Sequence, residues 1–203
     1  MSKRRNLDPR IKRTHQLLRT ALVQLLKEKD INSISIKDIT QKADLTRGTF
    51  YLHYKDKNDF LIQCTEEILD ELIDYVRPNE ANPSLMIEWS NPAESFLKLF
   101  EFIGDEADFF YLTLSNRGLP EFRDRLLKIV KIKVYDKIIL NINESKDGLL
   151  ISKDILISYI TSAHLGVIYS WLEGGMKYSP NYMASQLTYL TVTILGQLGI
   201  EKN

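Results

Sequence analysis

Residues 35–57 read SIKDITQKADLTRGTFYLHYKDK, and the rest of the chain is understood from them. Ser35 is placed to cap a helix, because its hydroxyl oxygen can accept a free backbone N–H from a first turn opening at Ile36. Ile36, Ile39 and Ala43 recur at helical spacing on one face, with Lys37, Asp38, Gln41 and Lys42 on the other. Ala43, Asp44 and Leu45 make a turn. Thr46 supplies a second cap, for a helix over Arg47 to Tyr54, and Asp56 a third, ahead of the apolar periodicity that begins at Phe60. Three cap signals so close together describe a helix-turn-helix, a motif whose second helix enters the major groove of DNA.

That second helix is composed for contact more than for burial. Arg47, Thr49, Tyr51, His53, Tyr54 and Lys55 crowd hydrogen-bonding groups onto it, and only Phe50, with Leu52 or part of Tyr54, is needed as an anchor. Gly48 costs about 1 kcal/mol relative to Ala in a helix interior. A glycine there fits a place where another backbone, such as a phosphate strand, comes close. The competing reading is a solvated polar helix in a helical hairpin; the coincidence of basic and aromatic residues with the caps argues against it. Arg47 and Tyr51 are the expected base readers, since arginine pairs bidentately with guanine and tyrosine meets a thymine methyl or a polar base edge. Ser35, Lys37, Thr46, Thr49, His53, Tyr54 and Lys57 are the expected phosphate contacts, which fix register without reading sequence. Lys55 suits either role.

The run IKDITQKADLTRGTFYLHYKDKNDFL resembles the N-terminal DNA-binding domain of the TetR/AcrR family of bacterial transcriptional regulators. The likeness covers residues 10 to 62, with cap, turn, Gly-Thr-Phe-Tyr core, His-Tyr pair and Lys-Asp-Lys follow-on in register. It implies a dimeric regulator, a repressor, that sits on a palindromic operator of double-stranded DNA and is released when its helical body binds an effector. A co-regulator whose body docks a partner protein is the alternative. The stretch HLGVIYSWLEGGMKYSP, residues 164–180, is similar to the C-terminal region of a TetR subgroup that includes regulators and co-regulators of dihydroxyacetone metabolism.

Charge supports a division into a reading head, residues 1–60, and a body, residues 61–203. The chain of 203 residues has no net charge, yet residues 1–60 carry fourteen Lys or Arg against seven Asp or Glu. The body carries thirteen against twenty. A basic head on an acidic body is the footprint of a DNA reader whose other domain does something else. The single cysteine, Cys64, excludes an intramolecular disulfide and reads as a buried structural thiol. The basic N-terminus lacks the apolar run of a signal peptide, and no apolar stretch is expected to span a membrane, which predicts a cytoplasmic protein.

Residues 1–9 are polar and basic, and fit either an arm on phosphates or minor groove or a solvated tail. A first helix is expected over Arg10 to Lys29, with Ile11, Leu18, Leu22, Leu25 and Leu26 inward and Arg19 off that stripe. Ile31 and Ile34 should plug the small core. A helix from Lys57 to about Arg77 buries Leu61, Cys64, Ile68, Leu72 and Val76 and runs out of the head into the body. Residues 78–93, with three prolines, form a linker whose Leu85, Met86, Ile87 and Trp89 either lid the body or pack on it. Helices follow over Pro92–Ile103, Ala107–Leu114, Pro120 to about Ile142, Lys153–Glu173 capped by Ser152, and Pro180 to about Leu198 capped by Ser179. Gly174 and Gly175 end the penultimate one. The expected fold is all-α.

Two features of the body bear on function. Ser162, Gly166 and Ser170 make a small-residue row at spacing four, matched on the last helix by Ala184, Thr188, Thr191 and Leu195. Such rows serve a two-fold four-helix interface or close packing within one chain. Aromatic residues gather in the middle, and Trp89, Phe96, Phe100 and Phe110 are the candidate walls of an apolar effector pocket, or plain core. Catalysis, a cofactor and a metal find no support: His15, His53 and His164 are far apart in sequence, and there is no Gly-rich phosphate loop or serine elbow.

Overall fold

The computed structural model describes residues 8–76, 92–115 and 151–197, together with residues 124, 127 and 128. Helix α1 (Pro9–Glu28) opens on Asp8, whose carboxylate accepts the N–H of Arg10, with Pro9 in the first turn. Proline is preorganised there and lacks only a donor that a helix start leaves unused. The Asp-Pro signal thus starts the helix inside the segment expected to be a tail. Leu18, Leu22 and Leu25 are buried as the periodicity requires, and Ile31, which opens a single 3₁₀ turn, and Ile34, which follows it, close the core beneath them.

Helix α2 (Ile36–Lys42) and helix α3 (Arg47–His53) follow, joined by the expected turn. Asp44 adopts a left-handed conformation, φ 55°, which Asp tolerates better than most residues. Helix α4 (Lys57–Val76) starts where Asp56 accepts the N–H of Asp59, and it continues unbroken past the expected boundary at residues 60 and 61. Phe50, Tyr54 and Phe60 interlock by their rings at 4.9–5.5 Å, so α3 is fixed against the start of α4.

The body begins with helix α5 (Pro92–Asp105) and helix α6 (Ala107–Leu114). Helix α7 (Lys153–Glu173) and helix α8 (Pro180–Gln197) complete the described chain. Among the described residues there are eight α-helices and no strand. Helix α5 is the spine: α8 lies along it, α4 packs on it, and α7 meets it through Phe100 against Trp171 and Phe96 against His164. Helix α7 ends at Gly174, and Gly175 turns the chain at φ +71°.

Several expectations change. Arg19 is buried, because α4 and α6 bring Glu71 and Glu106 to it. Leu52 is 82% exposed and anchors nothing; Tyr54 takes that role alone. Phe96, Phe100 and Phe110 are buried, and the one groove described below is lined by other residues. Trp89, the linker and the helix expected from Pro120 to Ile142 lie outside the described residues, apart from Pro92 and Ala93 and the three positions noted above. The segment Asp154–Glu173 is long and apolar enough to cross a membrane by length and composition, contrary to expectation. In the fold it is a core helix, holding Ile168, Trp171 and Leu172 against the bundle.

Candidate DNA-binding surface

The surface is built by caps. Ser35 and Asp38 form a reciprocal capping box: Asp38 N–H donates to Ser35 Oγ at 3.2 Å and Ser35 N–H to Asp38 Oδ2 at 2.8 Å. The Ser35 hydroxyl itself donates to Asp38 Oδ2 at 2.6 Å. These bonds hold the Asp38 carboxyl below its usual range, the Ser35 side chain first and its backbone second. They also commit the Ser35 proton, so Ser35 serves as a cap and presents no spare donor for a phosphate. At α3 the Thr49 N–H donates to Thr46 Oγ1 at 3.0 Å, and the two threonine hydroxyls share a bond of 2.9 Å.

From this base α3 presents Arg47, Gly48, Tyr51 and Leu52 outward, with Thr49 and His53 half-buried at its edges and Lys55 exposed just beyond its end. The Arg47 guanidinium lies 6.0 Å from the Tyr51 ring centre, one helical turn on, and Tyr51 meets Phe50 edge to face. The proposed base readers therefore brace each other, and Tyr51 is held by the core. A Cβ on Gly48 would touch only Thr46 Oγ1, at 3.6 Å, so the protein itself has room for one.

Two expected phosphate contacts are placed otherwise. Tyr54 is 1% exposed and caps the C-terminus of α3 from inside, its ring packed on Phe50 and Phe60. Lys57 turns its ammonium inward and donates to the carbonyls of Ile31 at 3.0 Å and Ile34 at 2.9 Å. Those carbonyls belong to the tight link between α1 and α2, where no helix ladder satisfies them. A residue missed in the sequence also belongs to the site: His15 of α1 reaches His53. Sequence spacing hid it, because the two residues are 38 positions apart. No group of three metal-binding side chains occurs among the described residues.

Residues 18–64 match the pattern of the bacterial regulatory proteins, tetR family, and residues 90–192 match a transcriptional regulator C-terminal region of the same family. The second match alone covers just over half the chain. The chain belongs to the TetR family. The helix-turn-helix of that family stands at residues 35–53.

Similar proteins agree with the TetR assignment. An uncharacterized HTH-type transcriptional regulator of Bacillus subtilis, YxbF, is 27% identical over 197 residues; these are 94% of this chain but 48% of that relative, so the chain spans about half its length. The transposon Tn10 TetC protein of Escherichia coli is 25% identical over 86% of this chain and 82% of its own. Two solved structures share the fold. A dihydroxyacetone kinase operon activator, DhaS, superposes with a TM-score of 0.61 at 22% identity, covering 94% of this chain and 98% of that one. The fatty acid degradation regulator FadR from Bacillus halodurans gives 0.63 at 18% identity, over 87% and 96%.

Proposed function

We propose that this TetR-family chain is a homodimeric repressor that grips a palindromic operator through α3 and lets go when its body binds an effector. One observation carries the DNA half: Arg47, Gly48 and Tyr51 stand exposed on a helix that Phe50 and Tyr54 lock to the core, with Lys55 exposed just past its end. Arg47 and Tyr51 read base edges, and Leu52 joins them as an apolar surface for a thymine methyl. Lys37, Thr46, Thr49 and His53 hold phosphates, Lys55 takes either role, and Gly48 lets the backbone approach. Residues 1–60 act as the head and 61–203 as the body, in the cytoplasm where the chromosome lies.

The dimer face is α7 with α8. Ser162, Gly166 and Ser170 are exposed in one row with Ile155 and Tyr159, and Tyr182 and Tyr189 are exposed on α8. Thr191 is withdrawn from that face, because it accepts the Nε2–H of His164 at 2.9 Å while donating to Leu187. Ala184 is buried with it, Thr188 is half-buried, and the Leu195 side chain lies outside the described residues.

An effector finds room in a groove that the aromatic residues singled out in the sequence do not line. An open groove of about 570 Å³ lies between α4, α5 and the α7–α8 turn, walled by Tyr75, Trp171 and Tyr178 with Glu101 and Asp105 at its rim. Aromatic faces beside carboxylates suit an organic cation. The alternative, a co-regulator that docks a protein there, is favoured by the exposure of Tyr75, Met176 and Tyr178 around the groove. Selection of bound genomic fragments from the native host tests the central reading. A recurrent near-palindrome is the expected result, and recovery of fragments without any shared sequence would sink it.

A further inference from the structure

His15 of α1, His53 at the end of α3 and Glu67 of α4 form a hydrogen-bonded chain across the DNA-binding domain. Glu67 Oε1 lies 2.8 Å from His15 Nδ1, and His15 Nε2 lies 3.3 Å from His53 Nδ1. The two rings meet edge to face, 4.9 Å between centres and 87° apart in plane. His15 and Glu67 expose only 11% and 13% of their side chains, so water reaches this chain poorly. The one ring nitrogen left over is His53 Nε2.

The proton count of that chain is decisive. Three contacts in series need a hydrogen each: Glu67 to His15, His15 to His53, and His53 Nε2 to a phosphate oxygen. Two neutral imidazoles carry only two N–H groups. In the neutral chain His15 gives its Nδ1–H to Glu67, so its Nε2 must accept from His53 Nδ1–H. His53 Nε2 is then a bare lone pair, which repels a phosphate. One added proton reverses this. His15 becomes an imidazolium that donates at Nδ1 to Glu67 and at Nε2 to His53 Nδ1, and His53 carries its hydrogen on Nε2.

We propose that gripping a DNA phosphate at His53 takes up one proton per protomer into the Glu67–His15–His53 chain, with His15 and Glu67 as positioning residues that act through His53. The proposal rests on the reading that α3 binds DNA. Only N–H bonds form or break, and the proton comes from solvent. Burial first, and His15 second, hold His53 below the usual histidine range in the free protein, with Glu67 opposing.

The other groups around the chain do not take its place. From α1, Arg19 is tied to Glu71 and Glu106. From α3, the Tyr54 ring stands 5.1 Å from His15. From α4, Cys64 is buried, and that burial, with Glu67, drives its thiol well above its usual range. From α6, burial, then Glu71 and Asp105 against the pull of Arg19, raises the carboxyl of Glu106. Helix α2 turns Ile39 and Thr40 inward.

The test titrates the full chain against a rhodamine-labelled random duplex of about 30 base pairs, since phosphate contacts need no operator. At fixed low salt, affinity should fall as pH rises from about 6 to 8.5, approaching tenfold per pH unit per protomer where uptake is complete. His15→Gln puts a non-titrating amide N–H toward His53 Nδ1, so its binding should persist at high pH with a flattened slope. Glu67→Gln removes the anion that supports the imidazolium and should move the wild-type profile to lower pH. Loss of a merely structural contact would lower affinity by one factor at every pH. A flat wild-type profile, or variants parallel to wild type, overturns the proposal and leaves DNA binding standing. No binding by wild type at any pH overturns the DNA reading and this proposal with it. If His15→Gln does not fold, the Glu67→Gln profile decides.

Discussion

Arg19 and Glu71 meet as a two-point pair, Nη1 to Oε1 at 3.1 Å and Nη2 to Oε2 at 3.0 Å, fastening the helix behind the reading head to the helix that leaves it. Glu106 of α6 stands 3.9 Å from the same guanidinium. Arginine makes this fork, and lysine does not. Arg19→Ala should cost about 2 kcal/mol, below the figure for a fully buried pair because Glu71 is half exposed. Arg19→Lys should recover only part of that. Thermal melts of the three proteins check it, and an unchanged midpoint for Arg19→Ala would refute the strut.

Lys57 and Arg47 should fail in different ways. Lys57→Met leaves the carbonyls of Ile31 and Ile34 without their donor and should lower stability by about 1–3 kcal/mol. Arg47→Ala should leave the melt alone and cost about 1–3 kcal/mol of specific binding at one base pair in each half-site. Comparing operator with scrambled duplex separates them. Equal losses on both duplexes for Arg47→Ala would make it a backbone contact.

Gly48→Ala sets the protein against its ligand. The added methyl has room in the free chain, so stability should rise by up to about 1 kcal/mol. Operator affinity should drop, because the methyl fills the space kept for a phosphate strand. Tighter or unchanged binding would show that nothing approaches Gly48.

Gly166→Leu tests the dimer face. A Cβ on Gly166 meets no described residue of the protomer within 4 Å, so a larger side chain bears on what packs against that face from outside. Sedimentation should report monomer at micromolar concentration with an intact melt. A dimer that persists would put the interface elsewhere.

His164 should make the body acid-labile. It is buried between Phe96 and Thr191, and burial lowers its pKa to about 4. Between that value and the unfolded value near 6.5, the unfolded chain binds the extra proton. The stability of the neutral imidazole is thus full above about pH 6.5 and is lost as pH falls toward 4, roughly 3 kcal/mol in all. His164→Gln should lose less stability than wild type over that window in parallel urea titrations. Parallel curves would show that His164 does not titrate on unfolding.

The helices of the head could be read almost residue by residue, because their signals are local. Ser35, Thr46 and Asp56 cap the turns that follow them, and a cap needs only its own next few residues. The ends of α7 at Lys153 and Glu173 were legible for the same reason, with Gly174 and Gly175 stopping it. The groove was not legible: Tyr75, Glu101 and Trp171 come from three helices and nothing in their spacing links them.

The sequence by itself determined the helices, their caps, the turn at Asp44 and the motif that marks a DNA reader, since each depends on backbone groups a few residues apart. Only the tertiary structure decided which polar side chains of this motif stand in solvent and which turn inward. Arg47 and Lys57 look alike as isolated cations, yet one stands in solvent and the other satisfies two carbonyls more than twenty residues upstream. Tyr51 and Tyr54 divide in the same way, one outward and one in the core. His15 joins His53 only when α1 crosses α3. Partners chosen across such distances are set by how the helices pack, and a side chain's chemistry alone does not encode that choice.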